Sequence, residues 1–286
     1  DVIELTSYTY DEKLQIAKKH LVPKQLARHG LKSSELKIDA SALNEIIMFY
    51  TREAGVRGLE KQIASLCRKA TKKMLEEGCE KVVINKDNIA EFLGPRKVIQ
   101  DRIPDKDRIG VVTGLAFTSV GGEIMPLEVN VMEGTGKIEL TGSLGDVMKE
   151  SAKAAISYIR SNADALGVST TFYKDKDIHI HAPEGAVPKD GPSAGCAMAT
   201  ALYSQLSSRP IRRDVAMTGE ITIRGDVLAI GGLKEKTMAA YKAGVKTVIV
   251  PKDNKGDIEQ IAQVVRDNVE FVYATSIKDV FETALR

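Results

Sequence analysis

The chain has 286 residues, of which 43% are hydrophobic and 28% charged, a composition typical of a globular protein with room for two domains. Its formal net charge of +2 is too close to neutrality to indicate nucleic-acid binding. Its cysteines are odd in number and lack a metal-ligand spacing, which favours reduced thiols over disulfides. No segment resembles a signal peptide or an apolar membrane span of about 20 residues. We therefore expect a cytoplasmic protein without a membrane partner.

Residues 1–94 are predicted to form a small helical bundle, because apolar residues recur there at the spacing of one helix face. Asp39 is a suitable N-cap for one helix, and Gly78 is a suitable C-cap for a longer one. The predicted elements are a helix after Asp39 with Leu43, Ile46, Ile47 and Tyr50 on its apolar face, a helix from Arg57 to Glu77, a single strand at 81–84 and a short helix at 86–93.

Residues 95–108 contain two prolines and a dense mix of charges, which indicates a solvated linker. The residues that follow, 109–286, alternate strands and helices without an internal repeat, so we expect an α+β domain with mixed sheets. Strands are predicted at 110–118, 123–132, 137–141, 177–181, 215–217, 221–223, 227–230, 246–250 and 269–273, and helices at 146–162, from near 193 and at 233–243.

The sequence contains no complete phosphate-binding loop of an ATPase. The nearest segment, Gly134–Ile138, lacks the first glycine at the required spacing and the Ser or Thr after the lysine, and it is predicted to be a hairpin turn. We therefore expect no ATP hydrolysis and no cofactor for this chain. We also expect it to be a fragment or a processed form of a longer polypeptide.

A serine lies between small residues where a helix is predicted to begin. The segment Gly191-Pro192-Ser193-Ala194-Gly195 fits the loose pattern of a nucleophile elbow, in which a sharp turn exposes the serine hydroxyl. In that fold the histidine base follows the serine, whereas all four histidines here precede Ser193. Because triads are defined by geometry and not by order, His179 and His181 stay open as bases, and a lysine is the alternative.

A lysine base needs a lowered pKa, because a lysine with an ordinary pKa of about 10.4 is protonated at neutral pH. Burial can lower that pKa by up to about 3–5 units. The helix predicted at 233–243 carries Lys234 and Lys236 about 200° apart, so that one faces inward while the other stays in solvent. Only one of the two lysines is therefore expected to act as a base.

Three segments, 188–195, 217–225 and 231–236, resemble the linked signatures of the Lon family of ATP-dependent serine proteases and occur in that family's order. The resemblance implies a serine endopeptidase that cleaves unfolded or damaged polypeptides, with Ser193 as nucleophile and Lys236 as general base. It further implies that the first 94 residues are the small helical subdomain of an AAA+ module and that 109–286 form the proteolytic domain. The intact parent is then expected to be a homo-hexamer that uses ATP and Mg²⁺.

The resemblance also implies supporting residues. The hydroxyl of Thr218 is expected to accept from the lysine amine and to hold it towards the serine. Arg57 matches the sensor arginine that approaches the nucleotide phosphate in the intact family. Glu128 and Arg224 match charged family positions near the active site or the subunit contacts.

Asp190, three residues before the serine, is predicted to bind the lysine ammonium or to occupy the site in an inactive form, because a charge there opposes a lowered lysine pKa. His179 and His181 lie on one face of a predicted strand, since side chains alternate with period 2. We expect structural hydrogen bonding from them, with a supporting role for His181 near the dyad and a metal site as alternatives.

Two other functions stay open from the residues alone. The first is a non-catalytic module that forms a ring for assembly, which predicts oligomers without hydrolysis. The second is a metallohydrolase that uses His179 and His181, which predicts inactivation by a chelator. The serine protease hypothesis predicts resistance to a chelator.

Overall fold

The computed structural model of the chain describes residues 8–98, 102–118, 121–183 and 188–286. They form two compact units, one within the first 100 residues and the other within 101–118 and 122–286. Each unit has its own hydrophobic core. In the ranges described, no helix is both long and apolar enough to cross a membrane.

Among residues 8–98, helices pack around two short strands. Thr9 starts the first helix through a capping box, because its hydroxyl accepts from the N–H of Glu12 and its own N–H donates to the Glu12 carboxylate. Asp39 precedes a helix as predicted, but its carboxylate pairs with Lys37 and makes no capping bond. The elements are α1 (Tyr10–Ile16), a π-helical segment (Ala17–Leu21), α2 (Val22–Arg28), β1 (Leu36–Ile38), α3 (Ala40–Phe49), α4 (Arg57–Glu77), β2 (Val82–Ile84) and α5 (Ile89–Leu93).

The predicted long helix of this unit is confirmed as α4, with the predicted apolar face in the core. Gly78 ends it at φ 68°, a left-handed conformation that glycine adopts without a steric penalty. The prediction of a single strand was wrong, because β1 pairs in parallel with β2 and places Leu36 opposite Val82. With three residues, β1 is too short to show an alternating pattern in the sequence.

The second unit is built on a seven-stranded mixed sheet with the strand order β11-β10-β7-β3-β4-β6-β5. Strands β3, β7, β10 and β11 are parallel, whereas β4 runs antiparallel to β6. The elements are β3 (Val111–Thr118), β4 (Gly121–Glu133), β5 (Ile138–Thr141), α6 (Asp146–Ser161), α7 (Phe172–Asp175), β6 (Lys176–His181), α8 (Gly195–Ser207), β7 (Val215–Met217), β8 (Glu220–Ile221), β9 (Val227–Leu228), α9 (Leu233–Ala243), β10 (Thr247–Pro251), α10 (Gln263–Arg266), β11 (Glu270–Ala274) and α11 (Ile277–Ala284).

Helices cover both faces of this sheet. Strand β7 shows the division, because Val215 and Met217 belong to one hydrophobic cluster and Ala216 belongs to the other. Helices α6, α8 and α11 pack in the first cluster, and α9 and α10 pack in the second. The predicted α+β class with mixed sheets is confirmed.

The segment Gly134–Ile138 is not the hairpin turn that was predicted. It joins β4 to β5, but β6 lies between these two strands, since Ile178 of β6 pairs with a residue of each. The connection is instead fixed by Asp177, whose Oδ1 accepts from the N–H groups of Thr135 and Lys137 at 2.8 Å each. These backbone hydrogen bonds lower the pKa of Asp177.

Candidate active site

Ser193 lies in a single 3-10 turn, Pro192–Ala194, that opens α8. The turn follows Gly191, whose φ of 125° is rarely adopted by residues with a side chain. A second glycine lets α8 approach the neighbouring hairpin, because a Cβ on Gly195 would lie 2.6 Å from the side chain of Ile221. The serine is therefore held at the start of a buried helix by residues that are small for steric reasons.

Lys236 lies near the start of α9, which follows Gly232 at φ 70°. Its side chain is only 3% exposed, and its Nζ lies 3.1 Å from Ser193 Oγ and donates to Thr218 Oγ1 at 3.2 Å. Burial lowers the pKa of Lys236 from 10.5 to about 8, because an ammonium loses its hydration there. Lys234, two residues earlier, is only partly buried, so the two lysines differ as the helix geometry predicts.

The segment after β7 contacts both members of this pair. Thr218 is 2% exposed and is anchored by its N–H, which donates to the carbonyl of Ile249 at 3.1 Å. The N–H of the next residue, Gly219, donates to the carbonyl of Ser193 at 2.9 Å. No carboxylate of the described residues forms an ion pair with the Lys236 amine, so no opposite charge there offsets the cost of burying the ammonium.

A cavity of about 380 Å³ opens beside the serine and the lysine. Its walls come from β3, β4, the first turn of α6, the segment that precedes the 3-10 turn and the glycines that precede α9. Besides Lys236, its ionisable members are Glu123, Lys189 and Asp190. The cavity is mainly aliphatic or aromatic on the β3 and β4 side, so it can accept an apolar side chain next to the serine hydroxyl. The apolar members from β3, β4 and α6 are Leu115, Ala116, Phe117, Ile124, Met125, Pro126 and Met148.

Asp190 lies in the wall of this cavity but binds α6 and not the lysine. Its Oδ1 accepts from the N–H of Met148 at 3.0 Å and from the N–H of Gly191 at 2.9 Å. Close approach to α6 requires a glycine at position 145, because a Cβ there would lie 2.3 Å from the Asp190 carboxyl carbon. The predicted pairing with the lysine ammonium is not what the structure shows. The donors to the Asp190 carboxylate are backbone N–H groups, one of them at the α6 N-terminus, where such groups lack partners within the helix.

Glu128, Arg224 and His181 lie outside the cavity wall. Glu128 is exposed on β4, directly opposite His181 of β6. Arg224 is exposed in the turn between β8 and β9, where its N–H donates to Thr222 Oγ1 at 3.2 Å. Their contributions to the active site or to subunit contacts therefore stay predictions.

The two histidines of β6 share one hydroxyl. His179 Nε2 and His181 Nδ1 lie 2.8 and 2.7 Å from Thr141 Oγ1 on β5, which is the structural hydrogen bonding expected of them. Within the described ranges, no group of three or more His, Cys, Asp or Glu side chains is arranged to hold a metal ion. The geometry thus supports a role in joining β5 to β6.

Arg57 belongs to the first unit, where it is the exposed first residue of α4. Beside it, the carboxylate of Glu53 accepts from the N–H groups of Gly58 and Leu59 at 2.7 Å each. The carboxylate thereby satisfies two unpaired donors at the positive end of the helix dipole. The predicted sensor role of Arg57 stays a prediction.

Two residues near the pair have no counterpart among the sequence predictions. A Cβ on Gly122 would lie 2.0 Å from the carbonyl oxygen of Glu235, so the start of β4 packs directly on the backbone of α9. A glycine beside a predicted strand is a recognisable signal of such close approach. The hydroxyl of Ser151 donates to the carbonyl of Pro192 at 3.0 Å, and a serine inside a helix gives no comparable signal.

Comparison with known protein families shows which family the chain belongs to. The model of the Lon protease (S16) C-terminal proteolytic domain matches residues 83–286, and the model of the Lon protease AAA+ ATPase lid domain matches residues 27–83. The chain belongs to the Lon protease family. The resemblance inferred from three short segments is thereby confirmed, and Ser193 and Lys236 both lie within the match to the Lon proteolytic domain.

Relatives named Lon protease match the whole chain. They include Lon protease of Finegoldia magna, 53% identical over 285 residues, Lon protease 1 of Bacillus subtilis, 52% over 285 residues, and Lon protease of Escherichia coli K12, 51% over 287 residues. Each alignment covers 100% of this chain and 37% of the relative. The chain thus spans little more than a third of the length of these Lon proteases.

Proposed function

We propose that this chain is the serine endopeptidase portion of a Lon protease, with Ser193 as nucleophile and Lys236 as general base. The observation that carries the proposal is a buried amine that lies 3.1 Å from the serine hydroxyl and has no carboxylate partner among the described residues. With a pKa of about 8 in place of 10.5, the neutral fraction of this amine at pH 7 is about 300-fold larger than for an ordinary lysine. Only the neutral amine has a lone pair that can accept the serine proton.

The proposed reaction is acyl transfer. Ser193 Oγ forms a bond to the carbonyl carbon of the peptide while its proton passes to Lys236 Nζ. The ammonium then returns that proton to the leaving amine as the C–N bond breaks, which leaves an acyl-serine. A water molecule next gives a proton to the neutral amine and attacks the carbonyl carbon of the ester. The C–O bond to Ser193 then breaks, the ammonium returns the proton to Ser193 Oγ, and the carboxylic acid product leaves. Thr218 Oγ1 accepts from the amine throughout and so directs its lone pair towards the serine.

The oxyanion of the tetrahedral intermediate is proposed to bind backbone N–H groups at the start of α8. The first N–H groups of a helix lack intrahelical partners and lie at the positive end of its dipole. The N–H of Ser193 has no acceptor among the described residues. Loss of one such donor typically lowers kcat by about 10²–10³.

The cavity supports a preference for peptides with an apolar residue beside the cleaved bond, because its β3 and β4 walls are apolar. To reach the serine, the peptide must leave its own hydrogen-bonded structure and lie across the 3-10 turn. Unfolded or damaged polypeptides satisfy this requirement, whereas a segment within a folded domain does not. They are therefore the proposed substrates.

For the intact protein we infer an ATP-dependent protease of which this chain is one part. The match to an AAA+ ATPase lid and the 37% coverage of Lon proteases support this inference. The parent would use ATP and Mg²⁺, assemble as a homo-hexamer and act in the cytoplasm, with Arg57 at the nucleotide phosphate. The chain alone is proposed to need no cofactor and to hydrolyse no ATP.

The deciding experiment measures cleavage of a fluorogenic peptide and of an unfolded protein without ATP. Ser193→Ala and Lys236→Ala are expected to lose hydrolysis, whereas the control Lys234→Ala, on the same helix but partly exposed, is expected to retain it. Cleavage that survives Ser193→Ala would overturn the proposal. A silent wild type that forms oligomers would favour the non-catalytic assembly module, and inactivation by a chelator would favour a metal site at His179 and His181.

A further inference from the structure

Ser151 connects α6 to the turn that carries the nucleophile. It is 6% exposed, and its hydroxyl donates to the carbonyl oxygen of Pro192 at 3.0 Å. The same carbonyl accepts from the N–H of Gly195, which closes the 3-10 turn. A 3-10 turn with one backbone hydrogen bond has poor hydrogen-bond geometry, so a second donor from a packed helix restricts its movement.

The Ser151 hydrogen bond also fixes the direction of the Ser193 N–H. The peptide unit between Pro192 and Ser193 is planar and trans, so its carbonyl and its N–H point in opposite directions. A donor that holds the carbonyl towards α6 therefore holds the N–H away from α6. On the other side of the serine, Gly219 holds the Ser193 carbonyl and in the same way fixes the N–H of Ala194.

We propose that Ser151 is a positioning residue for the oxyanion site: through the Pro192 carbonyl it aims the N–H of Ser193 at the substrate oxygen. The proposal rests on the proposed function of Ser193 as nucleophile. Ser151 touches neither the substrate nor the reacting atoms, and it makes no contact with the Lys236 amine. It therefore affects the step in which the oxyanion forms and not the binding of the peptide or the protonation of the base.

The test compares Ser151→Ala with the wild type by steady-state kinetics. We expect kcat to fall about 10-fold, less than the 10²–10³ typical of a missing donor, because the N–H remains but is less well aimed. KM and the pH at which activity falls are expected to stay unchanged. Ser151→Thr keeps the hydroxyl and is expected to restore kcat. The control is Ser161→Ala at the far end of α6, which removes a similar bond to the carbonyl of Ser157.

A peptide boronate provides a second measurement, because its tetrahedral adduct with Ser193 places an oxygen in the oxyanion site. Its affinity is expected to fall in Ser151→Ala by the same factor of about 10 as kcat. Unchanged kcat and boronate affinity would overturn the role of Ser151, and so would a loss of kcat that comes with a raised KM and a lowered Tm. A wild type that neither cleaves peptide nor binds the boronate would overturn the proposed function, and this role with it.

Discussion

Replacing Lys236 with methionine is expected to stabilise the fold while it abolishes hydrolysis. Methionine has a similar length and no charge, so the variant removes an ammonium that burial disfavours. Lowering the pKa from 10.5 to about 8 corresponds to about 3 kcal/mol at neutral pH, since a tenfold change in an ionisation constant is about 1.4 kcal/mol. Losing the hydrogen bonds to Thr218 and Ser193 offsets about 2 kcal/mol, at about 1 kcal/mol each, which leaves a gain of about 1 kcal/mol.

Calorimetry over a range of pH measures this gain. For a domain of this size, 1 kcal/mol shifts Tm by about 2–4 °C, so Lys236→Met is expected to raise Tm by that amount at pH 7. Between pH values of about 8 and 10.5 the unfolded lysine keeps its proton and the folded one has lost it, so wild-type stability rises with pH in that window. The uncharged variant lacks this rise, and its advantage is expected to shrink there.

The matched control is Lys234→Met, which removes a partly exposed lysine from the same helix and is expected to show no comparable gain. An unchanged or lower Tm in Lys236→Met would refute the reasoning. So would an advantage that stays constant from about pH 7 to pH 10. Either result would mean that burial does not lower the pKa of Lys236, and the amine would then be protonated, and so a poor base, near neutral pH.

Three further outcomes are expected. The kcat/KM of peptide cleavage falls about tenfold per pH unit below a pH of about 8, as Lys236 becomes protonated; a flat profile would contradict a lysine base. Thr218→Val, which keeps the side-chain volume but removes the acceptor, lowers kcat about 10-fold, whereas Thr218→Ser keeps it; equal rates would exclude the positioning role. Gly122→Ala lowers both kcat and Tm, because the added Cβ displaces the backbone of Glu235. The control Gly256→Ala, whose Cβ would have no atom within 4 Å, changes neither value; kinetics measure kcat and calorimetry measures Tm.

Two helices that are bounded by glycine, α4 and α9, were predicted to the residue. Helix α4 ends at Gly78 with φ 68°, and α9 lies between Gly232 at φ 70° and Gly244 at φ 91°. At the C-terminal ends, Gly78 and Gly244 adopt the left-handed conformation at which a helix stops. The assignment of Ser193 and Lys236 came from the resemblance to the Lon family, because the residues alone left His179 and His181 open as bases and helix geometry only separated Lys234 from Lys236.

The order of the strands was not predictable from local patterns. Placing β6 between β4 and β5 depends on pairing between distant residues, and a turn-like segment such as Gly134–Ile138 looks the same in a hairpin and in a longer connection. Asp190 shows the same limit, because its distance from Ser193 in sequence says nothing about the α6 N-terminus that supplies its donors. Ser151 depends on the packing of α6 against the 3-10 turn, which no single segment encodes.

The serine and the lysine meet where the helices change from one face of the sheet to the other. Helix α8 packs on one face, α9 packs on the opposite face, and β7 lies between its parallel neighbours β3 and β10. In open sheets a crevice forms at such a point, outside the carboxyl end of the strand. The two residues that follow β7 occupy this crevice: Thr218 binds the Lys236 amine, and Gly219 binds the carbonyl of Ser193. A change that shifts the end of β7 therefore moves both partners and alters the 3.1 Å distance on which proton transfer between them depends.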